Sequence, residues 1–179
     1  MTYLRTFIPW IVLAVVSAFA DWRAAMAAAL VASVLVLSEQ GRAARSDLLG
    51  LATLGYFAVM TVVALILPHA GLRHYTAALS LAVLGAVAWV SLALRRPFTL
   101  HFARQQTSRE LWDQPAFYRI NAVITAVWAA CFVLSAAACT AAVALISKPS
   151  TVVVVCEVIG FAVPAIFTSR YPTYAAGRS

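Results

Sequence analysis

An all-α, polytopic transmembrane bundle of about five spans, with an N-terminal helix that lies at the interface or re-enters the bilayer, is the fold class this sequence predicts. Three observations predict it. Of 179 residues, 64% are apolar and 11% are charged, which leaves too little polar surface to clothe a water-soluble domain of this length. The charges are unevenly placed: residues 49–67 and 120–146 contain none, whereas 95–119 holds five arginines. The breaks between the later apolar runs, at 68–71, 95–119 and 147–150, each contain proline, which removes an amide donor and starts or stops a helix. A single transmembrane domain, 1–179, is expected.

The opening is the ambiguous part. Residues 7–20 and 24–37 are two largely apolar 14-residue runs split by Asp21-Trp22-Arg23. At about 1.5 Å per residue, each run covers roughly 21 Å against a hydrocarbon core of about 30 Å. The expectation is a first helix at the interface or partly inserted, followed by a span over 22–37, because Trp22 and Arg23 suit a headgroup boundary. Ala18-Phe19-Ala20 resembles the end of a cleavable signal peptide, and the segment is expected to stay attached. The remaining spans are predicted at 49–67, 77–94, 120–146 and 151–169. In a bilayer a run of this length satisfies its backbone internally only as a helix.

Orientation follows from the cations. Counted on alternate sides, Arg42, Arg45, Arg95, Arg96, Arg104, Arg109, Arg119, Arg170 and Arg178 share one face, and Arg73 and Lys148 share the other. The positive-inside rule makes the first face cytoplasmic, with the C-terminus on it. This places the chain as a multi-pass protein of the inner (plasma) membrane. The net charge of +7 is accounted for by topology and by attraction to anionic lipid, so no nucleic-acid partner is called for.

Within the spans, Glu157 stands about two turns into 151–169, where an ionised carboxylate costs several kcal/mol unless protonated, paired or wet. It reads either as a proton or cation site loosened by Gly160 and Pro164, or as a neutral acid bonded to a neighbouring helix. Asn121, Thr125, Trp128, Ser135 and Cys139 recur at steps of four, three, seven and four, which keep one helical face. That face is expected to turn from lipid and to receive Glu157, through a hydrogen bond to Thr125, Ser135 or water. It either lines a conduit or packs helices together, as small and hydroxyl residues do in membranes. Ala24, Ala28 and Ala32 make a similar small-residue line earlier in the chain.

The loop 95–119 has its own order. Arg95-Arg96-Pro97 closes a span, Thr107-Ser108-Arg109-Glu110 fits a capping box, and Pro115 suits the first position of the next helix. A short helix carrying Leu111 and Trp112 is expected against the headgroups. Arg95, Arg96, Arg104, Arg109 and Trp112 are then a candidate surface for anionic headgroups or for a protein partner, or else an ordinary anchored loop.

Catalysis finds no support in the sequence. There is no Ser-His-Asp set and no phosphate-cradling glycine loop. His69 and His74 share one loop while His101 lies across the membrane, and Cys131, Cys139 and Cys156 have no C-x-x-C spacing. No metal or other cofactor is therefore expected, and the cysteines read as packing residues.

Phe7-Ile8-Pro9, Asp21 before an alanine-rich span, Arg95-Arg96-Pro97, Asn121 with Trp128, and Glu157-Val158-Ile159-Gly160 occur in an order and overall length that resemble the intracellular septation protein A (YciB-like) family. The resemblance implies a five-span inner-membrane protein of the cell envelope, linked to septation or envelope maintenance, acting through other membrane proteins and without an enzymatic reaction. It assigns no role to Glu157, where that family tends to carry a basic residue. Membrane-protein partners, lipids and a second copy of the chain are the expected contacts. The alternatives are a small transporter or channel using Glu157 and the 120–146 face, and a lipid-modifying membrane enzyme.

Overall fold

A computed structural model describes residues 5–41, 47–67 and 71–176, with side chains through residue 172. Arg42, Arg45, His69 and Arg178, used above for orientation and for the histidine argument, lie outside the described residues, as do Pro68 and Ala70. Among the described residues the chain is all-helical, with seven α-helices and two short 3-10 turns. Five helical segments are long and apolar enough to cross a membrane: Trp22–Glu39, Leu48–Ile66, Gly71–Ala93, Pro115–Leu145 and Ser150–Pro172. The helices fall into two compact units, Met1–Arg73 and His74–Ser179.

In the first unit, α1 (Ile8–Ser17) begins with Pro9 in its first turn and buries Pro9, Trp10 and Leu13. Its 10 residues cover roughly 15 Å, half of what a span needs. Asp21 caps α2 (Trp22–Glu39), its Oδ1 accepting the Ala24 amide at 2.8 Å, which uses one of the free donors at a helix start. The buried line of α2 is Ala25, Ala29 and Ser33, while Ala24 is exposed and Ala28 and Ala32 are half-buried. The small-residue face is thus rotated by one residue from the expected one. An alanine-rich helix offers two equivalent small lines, and packing against α1 and α3 selects between them. Asp47 starts α3 (Leu48–Ile66): its Oδ1 accepts the Gly50 amide at 2.9 Å and its Oδ2 accepts Gln40 Nε2 at 2.9 Å. The end of α2 is thereby tied to the start of α3. Trp10 stacks on Tyr56 at 5.2 Å, meets Phe57 at 4.7 Å and donates from Nε1 to Thr53 Oγ1 at 3.2 Å. This ties α1 to α3, so the first helix is packed into its unit by aromatic burial.

In the second unit, α6 (Pro115–Leu145) packs between α4 (Thr76–Ala93) and α7 (Ser150–Ala176). Its 31 residues reach roughly 46 Å, longer than the hydrocarbon core. The helix starts at Pro115, five residues before the apolar run, and α7 continues past Arg170 to Ala176. Hydropathy marks where a helix meets the headgroups, whereas backbone bonding marks where it ends. Gly85 lets α4 approach α6: a Cβ there would stand 2.9 Å from Val133 Cγ2 and 3.4 Å from the Val133 amide nitrogen. Along α6 and α7, Phe132 meets Phe161 at 5.2 Å and Cys139 Sγ lies 3.8 Å from the Val153 carbonyl. The two helices therefore run antiparallel.

The loop between α4 and α6 holds α5 (Thr99–Gln106), which the sequence reading did not anticipate. The expected capping box does not form. Ser108 makes no side-chain cap bond, and residues Arg109–Leu111 are one 3-10 turn. The anchor is tertiary: Thr99 and Phe102 are buried, while the 107–110 side chains have no comparable burial.

Candidate functional site

The last turn of α4 sets the geometry of the polar corner. The Arg95 amide donates to the Leu92 carbonyl at 2.9 Å and the Arg96 amide to the Ser91 carbonyl at 2.8 Å, with Arg95 at φ 55°. These are the two bonds of a Schellman cap, whose left-handed position usually holds glycine. Arginine there is strained, and Pro97 follows at once to prevent helix continuation. Arg95 and Arg96 are exposed by this turn, while Pro97, Phe98 and Thr99 are buried. Ser91 Oγ donates to the Ala88 carbonyl at 2.7 Å and accepts the Phe98 amide at 3.2 Å, which pins the chain as it reverses.

From this corner a hydroxyl chain enters α6. Thr99 Oγ1 donates to the Asn121 carbonyl at 2.9 Å, so its 2.8 Å contact with Thr125 Oγ1 is completed by the Thr125 proton. Asn121 Nδ2 donates to the Phe117 carbonyl at 2.9 Å. One turn further, Trp128 Nε1 donates to Thr168 Oγ1 at 2.9 Å, and Thr168 Oγ1 donates to the Pro164 carbonyl at 2.7 Å. Asn121, Thr125, Trp128 and Ser135 are all buried. The predicted stripe is therefore one face turned inward, and four of its members, Asn121, Thr125, Trp128 and Cys139, bond to groups on α5, on α6 itself and on α7. Sequence reading missed Thr99 and Thr168, the partners of this face, and Ser91, which pins the turn before them. The available signals were a hydroxyl two residues after Pro97 and another four residues after Pro164, where it can reach back to a carbonyl.

Glu157 does not join Thr125 or Ser135. The antiparallel register puts Gly160 against Ser135, where a Cβ would lie 2.8 Å from its Oγ. In the same register Cys139, one turn beyond Ser135, lies against the Val153 carbonyl. Glu157 is half-buried. All three cysteines are free thiols. Among the described residues no group of three His, Cys, Asp or Glu side chains could hold a metal.

The loop cations form a second cluster. Arg104 and Arg109 place their guanidinium carbons 5.3 and 5.6 Å from the centroid of the Trp112 ring, within cation–π range. The indole is fixed in turn, because Trp112 Nε1 donates to the Thr107 carbonyl at 3.1 Å. Arg104 and Arg109 are exposed and Trp112 is half-buried. Three of the five predicted loop residues are thus brought together around one ring, with Arg95 and Arg96 on the separate Schellman turn. No family model, curated protein or solved structure matches this chain.

Proposed function

We propose that this chain is a non-enzymatic, multi-pass inner-membrane protein of the cell envelope that works by binding membrane-protein partners or lipids, with the 95–119 loop and the C-terminus in the cytoplasm. The observation that carries the binding reading over transport is the fate of the α6 polar face. Asn121, Thr125 and Trp128 are buried and bonded to Phe117, Thr99 and Thr168. Groups used in this way hold helices together and are withdrawn from any solute path. The arginine asymmetry supports the orientation. A link to septation or envelope maintenance rests on the sequence's resemblance to the septation protein A family at the residues named above.

Two measurements test this reading. Reconstituted in liposomes with a pH-sensitive dye, wild type and Glu157→Gln are expected to show the same proton movement as protein-free vesicles; flux that the substitution abolishes would establish the transport alternative instead. A cysteine introduced at Gln106 is expected to resist a membrane-impermeant thiol reagent in intact cells and to react after lysis. Labelling from outside would reverse the orientation.

A further inference from the structure

Resting on the binding reading above, we propose that Arg104, Arg109 and Trp112 form a headgroup site for an anionic glycerophospholipid, with the lipid phosphate held between the two guanidinium groups and the indole seated at the acyl boundary. The two guanidinium carbons lie 5.3 and 5.6 Å from the centroid of one ring, so both cations gather at the same indole, where the planar donor forks of arginine can take the oxygens of a headgroup phosphate. Neither arginine is in an ion pair among the described residues, although Glu110 and Asp113 are neighbours in sequence. Two like charges collected on one indole and left without a carboxylate make a positive site that calls for an anion. The ring is oriented by its bond to the Thr107 carbonyl, so the site is partly ordered before a ligand arrives.

Lipid is the occupant the surroundings favour over a soluble phosphate. The loop is tethered at both ends to helices that are long and apolar enough to cross a membrane. Phe98 and Phe102 are buried and anchor α5, and a half-buried tryptophan beside exposed arginines matches the composition of a membrane interface.

The test is lipid retention by the full chain, purified from mixed phosphatidylcholine and phosphatidylglycerol nanodiscs and read by native mass spectrometry. Wild type is expected to retain phosphatidylglycerol preferentially, and Arg104→Gln with Arg109→Gln to lower that preference about tenfold, each interfacial arginine contributing to the attraction. Lys148→Gln with Arg73→Gln removes the same charge elsewhere and should leave the preference intact. Arg104→Lys with Arg109→Lys keeps charge but loses the fork, and an intermediate loss is expected. Inorganic phosphate at millimolar concentration should not displace the lipid. Equal preference in wild type and the Arg104, Arg109 glutamine variant, an equal fall in both glutamine pairs, or displacement by phosphate would overturn the proposal. Unchanged thermal unfolding of the variants excludes misfolding as the cause. A failure here leaves the orientation and proton tests standing, and a failure there leaves this retention result standing.

Discussion

The two units are built from similarly apolar helices, yet they treat their polar side chains differently. In the second unit Thr99, Asn121, Thr125, Trp128 and Thr168 are joined in hydrogen bonds across α5, α6 and α7. In the first, Trp10 bonds to Thr53 and Gln40 to Asp47, while Thr6 Oγ1, Trp22 Nε1, Gln40 Oε1 and Thr61 Oγ1 are buried without a hydrogen-bond partner among the described residues. Burying a polar atom carries a desolvation penalty that only a bond offsets. Hydroxyls in the second unit therefore specify how helices meet, whereas those of Thr6 and Thr61 in the first do not.

The largest effect expected from breaking this comparison comes from the second unit's aromatic core. Phe132 is 1% exposed and touches both Trp128 and Phe161, so Phe132→Ala should cost about 3–5 kcal/mol. Thermal unfolding in detergent measures it, and a loss below about 1 kcal/mol would mean that α6 and α7 do not meet in this register.

Next in size is Gly85→Ala. The added methyl would press on Val133, whose branched side chain is stiff in a helix and whose backbone lies just behind it. A cost of about 1–3 kcal/mol is expected, read in the same assay. A neutral result would separate α4 from α6.

The sharpest contrast is a matched pair. Thr99→Val leaves Thr125 without its acceptor and should destabilise by about 1 kcal/mol. Thr61→Val removes a hydroxyl that has no partner and should be neutral or stabilising by about 0.5 kcal/mol. Equal losses at both positions would erase the distinction between the units.

The smallest effect concerns Asp21, whose bond from the Ala24 amide, helped by Arg23, holds its carboxyl below its usual value of 3.8. A depressed folded-state pKa means that the cap's contribution is present above the unfolded value and is lost as pH falls through the lower folded value. The Ala24 amide resonance should therefore titrate below pH 3.8, and Asp21→Ala should abolish that titration. A midpoint above 3.8 would show that the cap is not made.

Much of the bundle was legible because membrane helices announce themselves one residue at a time. Length, apolarity and missing charge locate a span without knowledge of its neighbours. Glu157 shows where that stops: its place in an apolar run could be read from sequence, but its neighbours could not, since antiparallel register decides that Gly160 and not Glu157 lies against Ser135. The Arg104 and Arg109 cluster was visible as charge, yet its organisation around Trp112 depended on α5, which Thr99 and Phe102 anchor by burial.

By itself the sequence determined that this is a helical bundle with long apolar segments, where the helices roughly begin and end, and that residues 121, 125, 128 and 135 share a face. These follow from local backbone periodicity and from the energy of placing side chains in hydrocarbon. Only the tertiary structure decided which of two alanine lines on α2 is buried, which hydroxyls pair, and that the chain packs as two units. Those outcomes depend on which helices approach and in what register, and small residues spaced alike along an apolar helix leave several registers nearly equal until the whole set packs.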